Sequence, residues 1–335
     1  MTTQLGFSEK FNRHNNASHP ENAERLKVMI EEIRNSSIIN KLDIIEPEFV
    51  DEESLNLVHS NELIENIKNL SLNEESWIDF DTYVSSSDYE TARLAAGCVV
   101  QLSKNVMDGK SDNAFALVRP PGHHATKTRS MGFCLFNNIA IAANEMTKLG
   151  KKVLIFDLDV HHGNGTQDIF YERNDVFYQS YHLFPHYPGT GSVGEIGTGG
   201  GKGYTINAPL SHGNGNNAIK KLLDEIFIPV AKQFKPDIIL ISSGFDSHHE
   251  DNLGGLKLTA NFFGEMIRYL QKVQTKIVCT LEGGYNLNWI GKCLLSQLGQ
   301  MVSKPVDIKD ESYETEKVDI LIDSIKKEIG DFWEL

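Results

Sequence analysis

The sequence predicts an α/β fold in which a mostly parallel sheet carries helices on both faces. Three observations lead there. From about residue 114 onward, short apolar runs alternate with amphipathic helical stretches, the pattern of parallel strands joined by crossover helices. The strand runs are continuously apolar, as strands buried on both faces are. Four of these runs end in polar, glycine-punctuated clusters, RPPGHHATKTRSMGFC, DLDVHHGNG, SSGFDSHH and LEGGYN. Ligands of open parallel sheets bind outside the carboxyl ends of the strands, so these clusters stand where a site belongs.

The first helix is expected in SHPENAERLKVMIEEIRNS, where Ser18 and Glu21 form an S-x-x-E capping box, Pro20 comes early, and Leu26, Met29, Ile30 and Ile33 keep helical spacing. A polar connection containing Pro47 leads to a second helix over 60–70. A third begins near Ser87, where Ser87 and Glu90 repeat the capping pattern, and runs through TARLAAGCVVQLSKNVMDG. Strands follow at 114–118, 152–158, 176–181, 204–208, 237–242 and 276–281, with helices at 137–148, 216–233, 259–271 and 289–302. The glycine-rich stretch 189–203 lacks the Lys-Ser/Thr that closes a phosphate-binding loop, and a strand follows it, so it reads as a flexible loop. One domain is therefore expected over 1–302. Residues 303–317 read as a polar linker, and Val318, Leu321, Ile322, Ile325 and Ile329 mark a terminal amphipathic helix expected to pack back on the domain, with service to a partner as the alternative.

The 335 residues, 40% of them hydrophobic, suffice for a sizeable core. A formal net charge of -14 argues against a nucleic-acid grip and suits cationic substrates such as lysine-bearing chains or polyamines. Cys98, Cys134, Cys279 and Cys293 form no CxxC pair and read as buried free thiols of a reducing compartment. The amino-terminal stretch has no apolar signal region and no run is long enough to span a membrane, so a cytoplasmic protein is expected. Nothing in the sequence points to a particular oligomeric state.

The densest chemistry lies in VLIFDLDVHHGNG, residues 153–165. A buried strand delivers Asp157, Asp159 and His161 to one small volume before a glycine break. Two carboxylates and an imidazole brought together out of water call for a cation between them, and donors without thiolates suit a hydrolytic zinc or a similar ion. A solvent-facing acidic turn is the alternative, but the apolar run before it argues for burial. Asp246 in GFDS is placed to complete the metal site, or else to cap a helix. His123 and His124, after the stiff Arg119-Pro120-Pro121-Gly122, offer imidazoles that titrate near neutrality. Tyr285, after Glu282-Gly283-Gly284, can donate to a developing oxyanion. Together these groups suit metal-assisted hydrolysis of an amide.

RPPGHHA, GFCLFNN, DLDVHHGNGTQ, SSGFDS and LEGGYN, in this order, resemble the zinc-dependent histone deacetylase superfamily, which includes acetoin-utilisation proteins and acetylpolyamine amidohydrolases. The resemblance runs from His14 and HPENAER to about Val302, and HGNGTQ and DTYV are similar to its class II side. It implies a single arginase/deacetylase-like domain acting on acetyl-lysine in proteins or peptides, or on small acetylated amines. It also implies zinc held by Asp159, His161 and Asp246, with iron or cobalt as other occupants, His124 as general base and acid, and His123 as its electrostatic partner oriented by Asp157. Tyr285 would polarise the acyl carbonyl, and Gly132 and Phe133 would line an acyl-lysine tunnel. Potassium would sit on the 157–161 backbone with Ser180. Three positions depart from the family pattern. Tyr187 stands where Phe is usual, which narrows or polarises the tunnel. Asn164 replaces a carboxylate beside the general base, so the His124 pKa is expected to be less elevated. Leu253 occupies the position of the polyamine branch's gate Glu, which favours acyl-lysine peptides, while Glu250 and Asp251 nearby keep polyamines in view. His248 and His249 read as rim residues, with a second metal site as the alternative.

Overall fold

The computed structural model describes residues 2–311 and 318–335. Its ten strands are β1 (Thr3–Gly6), β2 (Leu42–Ile45), β3 (Glu75–Trp77), β4 (Tyr83–Ser85), β5 (Asn113–Ala116), β6 (Val153–Asp157), β7 (Val176–Leu183), β8 (Thr205–Leu210), β9 (Ile238–Ser243) and β10 (Ile277–Leu281). Eight of them form one sheet in the order β2-β1-β5-β10-β9-β6-β7-β8. Every pairing in it is parallel. β3 and β4 make a separate antiparallel hairpin. All residues of β5, β6, β7, β9 and β10 are buried, which is why their sequences are apolar without alternation.

The helices are α1 (Glu24–Asn35), α2 (Glu52–Asn56), α3 (Asn61–Leu70), α4 (Asp88–Met107), α5 (Asn138–Lys148), α6 (Asn164–Phe170), α7 (Asn216–Leu222), α8 (Ile228–Phe234), α9 (Ala260–Leu270), α10 (Ile290–Met301) and α11 (Asp319–Ile329). α4 packs on α5, while α10 packs on α1 and α9, and both α4 and α10 lie against β5. A single wider turn of five residues, Leu223–Phe227, joins α7 to α8 and opens the backbone just ahead of Pro229, which cannot donate to the preceding turn. The single helix expected over 216–233 is thus three segments of one rod. Ile322, Ile325 and Ile329 of α11 are buried. Residues 312–317 of the expected linker lie outside the described residues, and among those described no helix is long and apolar enough to cross a membrane.

Two points of the sequence reading need correction, the short strands and the capping boxes. β1, β2 and the β3–β4 hairpin were not anticipated: each strand is only three or four residues long, and β2 is half exposed, so its burial pattern is weak. Neither capping box forms. α1 starts at Glu24 with no side-chain cap, and Ser87 stands in the left-handed region at φ 72° without capping α4. The motif residue Glu21 is instead a buried partner of cations, accepting from Arg25 and Arg119 with His14 Nε2 at 3.2 Å, while Glu90 pairs with Arg93 at the surface and the intervening Asp88 binds His14. The 189–203 loop presents no phosphate cradle, because the N–H groups of Gly191 and Ser192 donate to Glu195. All four cysteines are buried and free.

Candidate active site

β5, β10, β9 and β6 are neighbours, so the four polar clusters that follow them meet at one end of the sheet. At the end of β6, Asp157 stays within the strand, and the chain then bends to present Asp159 and His161. His161 Nδ1 lies 3.0 Å from Asp159 Oδ1 and 3.3 Å from Asp246 Oδ2. Both carboxylates are fully buried. Each is oriented by backbone: Asp159 Oδ2 accepts from Gly283 N (2.8 Å), and Asp246 Oδ1 accepts from Val160 N (2.9 Å).

These residues fit a divalent cation. Asp246 Oδ2 is a buried oxygen with no hydrogen-bond partner, aimed at the other two donors, and such an orphan is costly unless something positive meets it. Burial and the neighbouring Asp159 charge push the Asp246 pKa up to about 6. Burial opposes ionisation of Asp159 too, but the His123 and His161 imidazoles hold it far below the usual carboxylate range. The carboxylates also need room. A side chain on Gly244 would collide with Asp159, and one on Gly283 with both carboxylates, so only glycine lets the ends of β9 and β10 come this close.

His123 and His124 sit side by side, ring centroids 4.1 Å apart, yet their partners drive them in opposite directions. Burial works against a charge on His123, but Asp157 (Nδ1 to Oδ2, 3.1 Å) and Asp159 overcome it and raise its pKa to about 10. His124 is held well below its ordinary pKa by burial and by the charges of His123 and His161. Its Nδ1–H donates to Asn164 Oδ1 (2.8 Å), a neutral acceptor, so Nε2 is the nitrogen left with a lone pair. Asp157 is held in turn by the Tyr178 hydroxyl (3.1 Å). Ser180 is its ladder partner on β7, and Ser180 Oγ bonds to His182 Nδ1 at 3.0 Å.

A cavity of about 230 Å³ opens above these groups. Among the predicted residues, His123, His124, Gly132, Phe133, His161, Tyr187, Leu253 and Tyr285 line it. Asp157, Asp159, Asp246 and Asn164 stand behind it. Tyr187 packs edge-on against His124 at 5.1 Å, and Phe133 edge-on against Tyr285 at 5.8 Å. Phe133 takes a left-handed φ of 68°, with its N–H donating to Thr82 Oγ1 (3.2 Å), which fixes the wall it forms.

Several contributors were not singled out from the sequence. Glu282 accepts from Gly122 N (2.7 Å) and His123 N (3.1 Å) and so places the histidine pair, and burial raises its pKa to about 7. Its position in LEGGYN, directly after a buried strand, was the available signal. Arg25 donates to Gly284 O (2.7 Å) and Glu282 O (2.6 Å), with its guanidinium 5.0 Å from the centre of the Tyr285 ring. His186 stacks on His161 at 5.0 Å and donates from Nε2 to Leu253 O (3.1 Å). Phe80 and Asp81, at the tip of the β3–β4 hairpin, reach the mouth. Of Glu250 and Asp251, the Asp251 carboxylate is turned to backbone donors, and His248 is buried rather than at the rim.

Fold and cavity together define an α/β protein with a candidate site at the carboxyl ends of a parallel sheet. Comparison with known proteins agrees: residues 19–301 match the histone deacetylase domain. The chain is 38% identical over 296 residues to a probable deacetylase of Archaeoglobus fulgidus, covering 86% of this chain and 82% of that protein. It is 36% identical over 335 residues to histone deacetylase 5 of Arabidopsis thaliana, covering 94% of this chain but 51% of that longer protein. The crystal structure of the HDA15 HD domain superposes with a TM-score of 0.93 at 34% identity, over 99% of this chain and 97% of that one. The chain belongs to the histone deacetylase family, and its fold is the deacetylase-like α/β fold expected from the sequence.

Proposed function

We propose that this chain is a zinc-dependent amidohydrolase that removes acetyl groups from acetyl-lysine in proteins or peptides. The observation that carries the proposal is the orphaned Asp246 Oδ2, converging with Asp159 and His161, whose ring lies 6.0 Å from that of His124 with its free Nε2. Asp159, His161 and Asp246 would hold the metal, zinc before iron or cobalt; when bound, such an ion polarises the acyl carbonyl and acidifies a water. His124 Nε2, left with its lone pair, would accept a proton from an attacking water and return it to the leaving amine. Charged His123, fixed by Asp157, favours negative charge building up beside it. The Tyr285 hydroxyl donates to the oxyanion. Gly132, Phe133, Tyr187 and Leu253 enclose the acyl-lysine stem. A structural potassium ion on the 157–161 backbone with Ser180, and a cytoplasmic location consistent with four free thiols, belong to the same proposal.

Peptides are favoured over polyamines because Leu253 is apolar and Asp251 is already engaged by Tyr285 N (2.6 Å) and Asn286 N (2.9 Å). Asp81 is the one carboxylate lining the cavity among the described residues. The test is a kinetic comparison of an acetyl-lysine peptide, a longer-acyl lysine peptide and N-acetylputrescine, with metal content measured on the same sample. Highest kcat/KM on the acetyl peptide supports the reading. Preference for acetylputrescine moves the chain to small-amine substrates, and no turnover of any of them by zinc-loaded protein refutes it.

A further inference from the structure

Beyond residue 301, where the match to the family ends, the chain returns to α9 and to His248 and His249. Asn261 of α9 clasps this strap through Ile308 N (3.0 Å) and Ile308 O (2.8 Å). The strap then buries the Asp310 side chain, leaving it 1% exposed. Its carboxylate collects three donors. Ala260 N at the start of α9 (2.7 Å) and His248 Nε2 (3.0 Å) donate to Oδ2, and His249 Nε2 (2.7 Å) donates to Oδ1. His248 also stacks on Trp289, centroids 4.6 Å apart.

Two histidines and a carboxylate are metal-ligand types, but the hydrogen bonding here points elsewhere. His248 Nδ1 accepts the Glu250 N–H (3.2 Å), so the neutral ring carries its proton on Nε2 and gives it to Asp310. The cluster is closed by its own hydrogen bonds. What it holds is the segment that follows. Asp251 Oδ2 accepts from Tyr285 N (2.6 Å) and Asn286 N (2.9 Å), Asn286 Nδ2 donates to Glu250 O (2.5 Å), and Asp251 Oδ1 accepts from Leu253 N (3.0 Å). Hydrogen bonds thus lead from the strap to the 248–251 segment and on to the backbone of Tyr285.

We propose that Asp310 is a positioning residue: through His248 and His249 it fixes the segment whose Asp251 sets the place of Tyr285 and of the Leu253 wall. Asp310 touches neither substrate nor metal ligands and acts at a distance on the oxyanion donor. The inference rests on the deacetylase reading above for its kinetic arm only.

The experiment uses the full zinc-loaded chain. Asp310→Ala is expected to lower kcat on an acetyl-lysine peptide about tenfold, part of the hundredfold that a 1 Å misplacement can cost, with KM within about twofold. In a Tyr285→Phe background the same change should cost less than about twofold, since the hydroxyl it positions is gone. Hydrogen exchange should quicken at 248–253 and 283–286 and stay unchanged at 159–161. Asp310→Asn and His249→Ala, each loosening part of the clasp, serve if Asp310→Ala does not fold, and should fall between wild type and the full loss. Equal losses in the two backgrounds, or unchanged exchange at 283–286, overturn the proposal. So does a second metal ion per chain that Asp310→Ala removes. An inactive wild type would overturn the deacetylase reading alone, because the exchange measurement still decides the role of Asp310.

Discussion

Replacing Glu21 by Gln tests how much of the protein hangs on one buried carboxylate. Glu21 is wholly buried, and Arg25 (3.0 Å), His14 (3.2 Å) and Arg119 converge on it, with the second Arg119 contact at 2.6 Å. The amide keeps the shape and removes the charge. Arg119 then keeps a 3.3 Å bond to Phe11 O, and Arg25 keeps its two carbonyls, but neither has a buried counter-charge in contact. Removing one partner of a buried ion pair costs about 3–5 kcal/mol. For a chain of 335 residues, an unfolding entropy of about 2.1 cal/mol/K per residue gives about 0.7 kcal/mol/K, so a loss of about 4 kcal/mol lowers Tm by about 6 °C. Differential scanning calorimetry of wild type and Glu21→Gln at pH 7 reads this directly. Because Arg25 braces Gly284 and Glu282, kcat should fall with Tm even at temperatures where the variant is fully folded. A Tm within about 1 °C of wild type would refute the reasoning, showing that the guanidiniums find other compensation.

Tyr285→Phe keeps the ring against Phe133 and Arg25 and removes only the hydroxyl, so kcat should fall about a hundredfold to a thousandfold while metal content by atomic emission stays the same. Asp246→Ala should lower bound metal well below one per chain after dialysis, with the fold retained by circular dichroism, since it deletes one of three converging donors. His59 is buried between Thr126 O (2.9 Å) and Asn137 N (2.9 Å), and burial lowers its pKa from 6.5 to about 4. The unfolded chain therefore binds a proton that the folded chain refuses between those values. His59 favours folding above pH 6.5, and this contribution, roughly 3 kcal/mol, is lost as pH falls towards 4. Urea titrations across that range should show a steep loss of stability in wild type and a shallower one in His59→Gln.

The site was legible because its chemistry is local in sequence. Four motifs follow four buried strands, and a parallel sheet gathers the ends of adjacent strands by construction. Asp159, His161 and the histidine pair could be read from the way polar residues interrupt apolar runs. The surrounding ionic structure was not legible. Glu21 stands in a local pattern that satisfies helix capping and Asp88 lies inside another, and only the fold shows Arg119, 98 residues away from Glu21, and His14, 74 residues away from Asp88, claiming them. Asp310 and His248 are 62 residues apart with no shared motif. β1 and β2 pass unnoticed because four residues hold too little periodicity to stand out.

The tight approach of Gly244 and Gly283 to the carboxylates has an evolutionary side. This centre can be silenced by gaining atoms as well as by losing a ligand. A single methyl group at either position takes the space of a carboxylate while Asp159, His161 and Asp246 all remain in the sequence. Glycine and alanine codons differ by one base, so a single step at either position leads to a chain that keeps its surface and all three ligands but has lost the room they need. A chain with every ligand intact and alanine at 244 or 283 would look like an enzyme in any motif comparison and turn over nothing.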